Sequence, residues 1–62
     1  MSYIIKVPLT TGTEVTVHTY RVARAALSVE LGRPVVDVAY IGSTIVDQDP
    51  SVEWHTFREM GR

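Results

Sequence analysis

Glu14-Val15-Thr16-Val17-His18-Thr19, followed at once by Tyr20-Arg21-Val22-Ala23-Arg24-Ala25-Ala26-Leu27-Ser28-Val29-Glu30-Leu31, is the stretch on which the fold turns. Its first six residues alternate apolar and polar with period two, the pattern of a half-buried strand. The next twelve place Ala23, Ala26, Leu27 and Leu31 on one stripe at helical spacing. Arg21, Arg24 and Ser28 form a narrow polar arc, and Val22, Ala25 and Val29 a flanking apolar strip. Gly32 suits the left-handed position that ends a helix, and Pro34 prevents continuation. Thr19 is the expected N-cap, because its hydroxyl can accept a free amide of the first turn.

Upstream, Tyr3, Ile5, Val7 and Leu9 fall on one face and Ile4, Lys6 and Pro8 on the other. With Thr11-Gly12 as the turn, this predicts a hairpin that pairs Leu9 with Val15 and Val7 with Val17. Pro8 has no amide proton, so its nitrogen should face a sheet edge or a strand end. Downstream, Val35 to Ile41 is rich in β-branched residues, and Gly42-Ser43 reads as a two-residue hairpin turn leading to a strand through Val46. Asp37 is costly to bury, so Val36, Val38, Tyr40 and Ile45 are assigned inward. The opposite face then carries Val35, Ala39, Ile41, Val46 and Ile4. In the tail, Asp49-Pro50 starts either a helix or a turn. The residue preferences of Val52, Trp54, Thr56 and Phe57 favour a turn and a strand. The expectation is a single α+β domain over residues 1–62, of order β-β-α-β-β(-β), with a four- or five-stranded sheet and one helix across one face.

Composition narrows the function. Sixty-two residues form one small domain that gains from a partner or from self-association. There is no cysteine, hence no disulfide and no thiolate metal site. No apolar run approaches the roughly 20 residues that span a bilayer, and the start lacks the pattern of a signal peptide. The expected location is cytoplasmic, with no membrane partner. Residues 1–34 hold four cations against two carboxylates, and residues 35–62 two against five. Neither half carries the excess of positive charge typical of a dedicated nucleic-acid binder.

Chemistry is sparse. His18 and His55 sit in no nucleophile motif and match no metal-ligand spacing, so both read as surface or rim residues. The glycines occupy turn and cap positions and form no phosphate-cradling loop. No catalytic residue, metal ligand or cofactor site is expected, and the chain reads as a non-enzyme. Arg21, Arg24 and Arg33 form a candidate anion or nucleic-acid contact, weak and salt-sensitive with only three cations. The apolar surplus is more informative. Ile4, Val35, Ala39, Ile41, Val46 and Trp54 on the sheet, with Val22 and Val29 on the helix, are the candidate interface. Either Trp54 and Phe57 fold across the sheet patch as a second small core, or a second copy or another protein covers it.

Two resemblances bear on this. The opening Met1-Ser2-Tyr3-Ile4-Ile5-Lys6-Val7, the overall length and Leu31-Gly32-Arg33-Pro34 before a strand are similar to the 4-oxalocrotonate tautomerase family. That family joins its first strand directly to a long helix and uses an amino-terminal proline as catalytic base. Here Ser2 stands in place of that proline, and the alternation of Thr13 to Val17 argues against a helix starting there, so neither the activity nor the fold is expected. The succession Tyr3-Ile4-Ile5-Lys6, a second strand, the helix start at Thr19, Ala23 and Ala26, and the Val35–Val46 hairpin resembles small phage proteins of β-β-α-β-β type, some anti-CRISPR inhibitors among them. That resemblance implies a protein without an active site that occupies a surface of a larger target. The expected function is a small protein-binding module, a phage or mobile-element inhibitor or accessory protein, with a protein partner and a homodimeric state. The alternatives are a weak nucleic-acid-binding accessory protein that uses Arg21, Arg24 and Arg33 and, disfavoured by Ser2 in place of the catalytic proline, a small tautomerase-like enzyme.

Overall fold

A computed structural model of the chain describes residues 3–61. Strand β1 (Ile4–Thr10) is followed by helix α1 (Val17–Leu31), strand β2 (Asp37–Ile45) and strand β3 (Val52–Met60). The last strand lies in the middle of the sheet, in the order β1-β3-β2, antiparallel to both neighbours. β1 and β2 therefore run parallel to each other, as strands joined by a helical crossover must. The gap that this crossover leaves is filled by β3, returning through the tight connection Val46–Ser51. The architecture is α+β with one helix on a three-stranded antiparallel sheet.

Three expectations are corrected. No second strand forms among the described residues: positions 14–16 are a loop and Val17 begins the helix. Leu9 pairs with Glu53 and Val7 with His55, in place of Val15 and Val17. The alternation from Glu14 to Thr19 misleads because its apolar members have separate fates. Val15 packs against the core from the loop, while Val17 is 70% exposed on the first helical turn. The buried row of the helix is Thr19, Ala23 and Leu27, at spacing four, so the helix starts at Val17, three residues before Tyr20. Val, Thr and His each cost only about 0.5 kcal/mol against the best helix formers, which burial of that row overrides. The N-cap is accordingly Thr16. Thr19 lies three residues on, and its Oγ1 accepts the Thr16 N–H at 3.1 Å. The helix ends at Gly32 as expected, with φ +68° and its N–H bonded to the Ser28 carbonyl at 2.9 Å.

The second correction concerns Gly42-Ser43, which is no turn. β2 runs straight through it, with Ile41 left over at a β-bulge between Tyr40 and Gly42. Gly42 holds φ +143°, a conformation that side chains rarely adopt. A bulge and a two-residue turn make the same demand on glycine, and local sequence does not separate them. The third correction is the alternation before Asp37. Val35 is buried in the core and Val36 is 69% exposed, the reverse of their assignment, because both precede the strand and its period does not apply to them. The tail is a strand, as the residue preferences indicate.

The core lies between helix and sheet. Ala23 and Leu27 meet Val7, Val35, Val38 and Phe57, with Ile5, Leu9, Tyr20 and Leu31 around them. Phe57 is fully buried and takes edge-on contacts from Tyr20 and Tyr40, at centroid distances of 5.1 and 5.4 Å. Its position beside the helix removes it as a cover for the outer sheet face.

Candidate functional site

The antiparallel register decides which residues share the face away from the helix. Residues opposite one another in paired strands point to the same side. Val7, His55 and Phe57 are buried beside α1, so their immediate neighbours in each strand occupy the other face. That face consists of three central rows: Pro8, Trp54 and Thr44; Lys6, Thr56 and Gly42; and Ile4, Arg58 and Ala39. Val46 adjoins the first row, where Lys6, Thr44, Val46 and Trp54 line an open hollow of about 310 Å³. Asp37 and Met60 close the opposite end. No helix covers this side. Trp54 stands half-buried among its neighbours, and Lys6 and Arg58 are exposed.

Of the expected interface residues, Ile4, Ala39, Val46 and Trp54 meet on this face. Val35 is in the core, and Ile41 stands exposed at the bulge of an edge strand. Val22 and Val29 are exposed on the helix. Lys6 falls there by the alternation that groups it with Ile4 and Pro8, but Arg58 was not expected. The signal for Arg58 is the period-two continuation Trp54-Thr56-Arg58-Met60, legible once the tail is a central strand. The rows of Lys6 and Arg58 are adjacent, about 7 Å apart along the strands.

Both sheet edges are interrupted. Glu59 N–H donates to the Tyr3 carbonyl and Thr11 N–H to that of Ser51, so the odd residues of β1 face β3. Pro8 therefore turns its nitrogen outward, as anticipated, and interrupts that edge. On β2 the first outward N–H, that of Val38, already donates to Asp37 Oδ1 at 2.8 Å, and the bulge interrupts the strand beyond Tyr40. These are devices that stop another strand from adding to a sheet.

The arginines do not converge. Arg33 donates to both carboxylate oxygens of Glu59, at 2.7 and 2.8 Å, and its guanidinium lies 6.0 Å from the Tyr3 ring. The guanidinium holds the Glu59 carboxyl below its ordinary range, and the carboxylate raises Arg33 in return. Arg24 reaches the Val36 carbonyl at 3.4 Å and shares a hollow with Arg21, Val17, Tyr20 and the carboxylate of Asp37. An anion there meets one committed arginine and one neighbouring acid.

His18 is exposed on the first turn of α1. His55 is 4% exposed, buried beside the helix, which corrects its expected place at the rim. Its Nδ1 lies 3.0 Å from the Tyr40 hydroxyl, while its Nε2 has no hydrogen-bond partner and stands 3.7 Å from Glu53 Oε1. Ser43, directly across from His55, donates its hydroxyl to Glu53 Oε2 at 2.6 Å, and the Gly12 amide donates to Oε1 at 3.3 Å. These two bonds hold the Glu53 carboxyl below its ordinary range, the Ser43 bond first. The residue types of a hydrolase triad are thus adjacent, but the serine is wired to the acid and the histidine to a tyrosine. A triad requires the serine hydroxyl on the histidine. The network instead ties β2, β3 and the loop after β1 together.

Among the described residues no group of His, Asp and Glu is placed to hold a metal ion, and no helix is long and apolar enough to cross a membrane. The second strand that underlies the resemblance to β-β-α-β-β phage proteins is replaced by helix. The direct passage from β1 to α1 removes one objection to the tautomerase-like order, while Ser2, on which that comparison turns, lies outside the described residues. The chain matches no protein-family model, no curated protein and no solved structure.

Proposed function

We propose that this chain is a small non-enzymatic protein-binding module that works by occupying a partner's surface with the open face of its sheet. The observation that carries this reading is the asymmetry of the sheet. One face is sealed by α1, and the other carries Trp54 on the central strand with Pro8 and Val46 beside it and Ile4 and Ala39 two rows further along, with no helix above them among the described residues. Apolar residues exposed together on one face of a small domain are characteristic of interaction sites, and tryptophan is a frequent anchor in them. The interruptions at Pro8 and at the bulge favour association through the face over strand addition. The triad-like residues, wired to one another for structural purposes, supply no nucleophile. A phage or mobile-element inhibitor or accessory protein is one form that such a module takes.

Affinity capture from the source cell tests the reading when it is run with three proteins: the natural chain, Ile4→Glu on the open face and Val29→Glu on the helix. A protein held by the natural chain and by Val29→Glu but lost with Ile4→Glu is the expected result. Capture indifferent to Ile4→Glu removes the face from consideration, and a natural chain that holds nothing removes the function.

A further inference from the structure

Two of the open face's central rows each carry a cation, Lys6 beside Thr56 and Arg58 between Ile4 and Ala39. Among the described residues neither has an ion-pair partner. On the paired strands of that side the one carboxylate is Asp37, which lies at its end, also borders the hollow of Arg21 and Arg24, and already accepts the Val38 N–H. A neutral apolar partner seated over Trp54 would bury two unpaired charges, which is strongly unfavourable. A second copy of the chain does no better. Face-to-face pairing sets four cations together, with only the two Asp37 side chains at the ends to offset them. This tells against the sheet face as the surface of a homodimer.

Resting on the protein-binding reading above, we infer that the occupant of this face is an acidic, apolar segment of another protein. Its carboxylates pair with Lys6 and Arg58, and an apolar side chain enters the hollow formed by Lys6, Thr44, Val46 and Trp54. Carboxylate is favoured over phosphate for two reasons. The rows around the cations hold aliphatic residues, threonines and a glycine, with one aromatic ring, whereas single-stranded nucleic acid is held by successive stacking rings. The chain as a whole also carries a net charge of −1, so a long phosphate backbone gains little beyond these two contacts.

Trp54 is the only tryptophan, so its fluorescence reports on this face directly. The probes are an eight-residue peptide alternating aspartate and leucine, the same peptide with asparagine for aspartate, the same with lysine, and a single-stranded oligothymidylate. The expected result is saturable binding of the aspartate peptide, at least tenfold tighter than the asparagine peptide and weakened as salt rises from about 0.05 to 0.5 M. The double variant Lys6→Glu, Arg58→Glu, whose fold is checked by circular dichroism, should lose that binding and take the lysine peptide. Equal binding of the aspartate and asparagine peptides overturns the acidic partner and leaves the protein-binding face standing. Tighter binding of the oligonucleotide assigns the face to nucleic acid and overturns both. No change in Trp54 emission with any probe at millimolar concentration overturns the inference, while the capture experiment still decides the protein-binding reading separately.

Discussion

Arg33, just beyond the C-terminal cap of α1, grips Glu59 near the end of β3 through two parallel N–H···O bonds of 2.7 and 2.8 Å. The pair fastens the far end of the helix to the central strand, across 26 residues of sequence. Lysine cannot reproduce this fork, because its ammonium is a single point of contact.

The pair makes stability depend on acid. Glu59 is held below its ordinary value of 4.5 by the Arg33 hydrogen bonds, so the folded chain binds its proton less readily than the unfolded chain does. Its contribution is complete above about pH 4.5 and is lost as pH falls through the lower folded value. Arg33 is raised from an already high value and stays charged throughout this range. Urea midpoints at about pH 7 and pH 3 should fall further for the natural chain than for Glu59→Gln. Equal losses in the two proteins would show that the pair does not couple folding to protons. Glu53→Gln should reduce the acid loss in the same direction, because Ser43 and Gly12 favour the ionised form of Glu53.

The helical start is tested by proline. Val17 is the first helical residue, 70% exposed, and Thr16 before it is extended at φ −121°, ψ 177°. Proline is tolerated at a first helical position and requires an extended residue before it. Val17→Pro should therefore change stability by no more than about 0.5 kcal/mol, and gain up to about 1 kcal/mol where the unfolded chain is stiffened. If residues 14–19 formed a paired strand, the same change would remove a ladder bond. A loss above about 2 kcal/mol in urea denaturation contradicts the helix start.

The buried histidine depends on a single hydroxyl. Tyr40→Phe removes the partner of His55 Nδ1 and leaves a 4%-exposed ring with neither nitrogen bonded. A buried polar atom left unsatisfied costs about 1–3 kcal/mol. Thermal denaturation should show that loss, with the backbone circular dichroism of the folded state unchanged. A variant as stable as the natural chain means that the ring nitrogen finds another partner and that the hydroxyl contact is incidental.

Much of the layout is legible in the residues alone. The stripe of Ala23, Leu27 and Leu31, the stop at Gly32, the inward set of Ile5, Val7 and Leu9, the outward nitrogen of Pro8 and the strand at the tail all follow from local preference and periodicity. The failures share one cause. Glu14 to Thr19 alternates as a strand does, and Gly42-Ser43 is as good a turn as it is a bulge. Each local pattern fits two structures of similar energy. The candidate face is partly visible in the sequence, in Ile4, Lys6, Ala39, Val46 and Trp54, but Arg58 and its closeness to Lys6 are not. Lys6 and Arg58 are 52 positions apart and become neighbours on one surface only when β3 enters the sheet beside β1.

Sequence by itself thus determined the class of the molecule, one helix on a sheet, and the presence of more apolar surface than that pair can enclose. Tertiary structure alone decided that β3 is the central strand. Residues 14–19 could pair with β1 only by forfeiting the helical row of Thr19, Ala23 and Leu27, whereas β3 offers β1 a seven-residue ladder that also buries Phe57 and His55. That choice places Trp54, Lys6 and Arg58 together on the uncovered side. Pairing between distant strands is settled by the total of surface buried and hydrogen bonds made across the whole sheet, a quantity that no local window of residues contains.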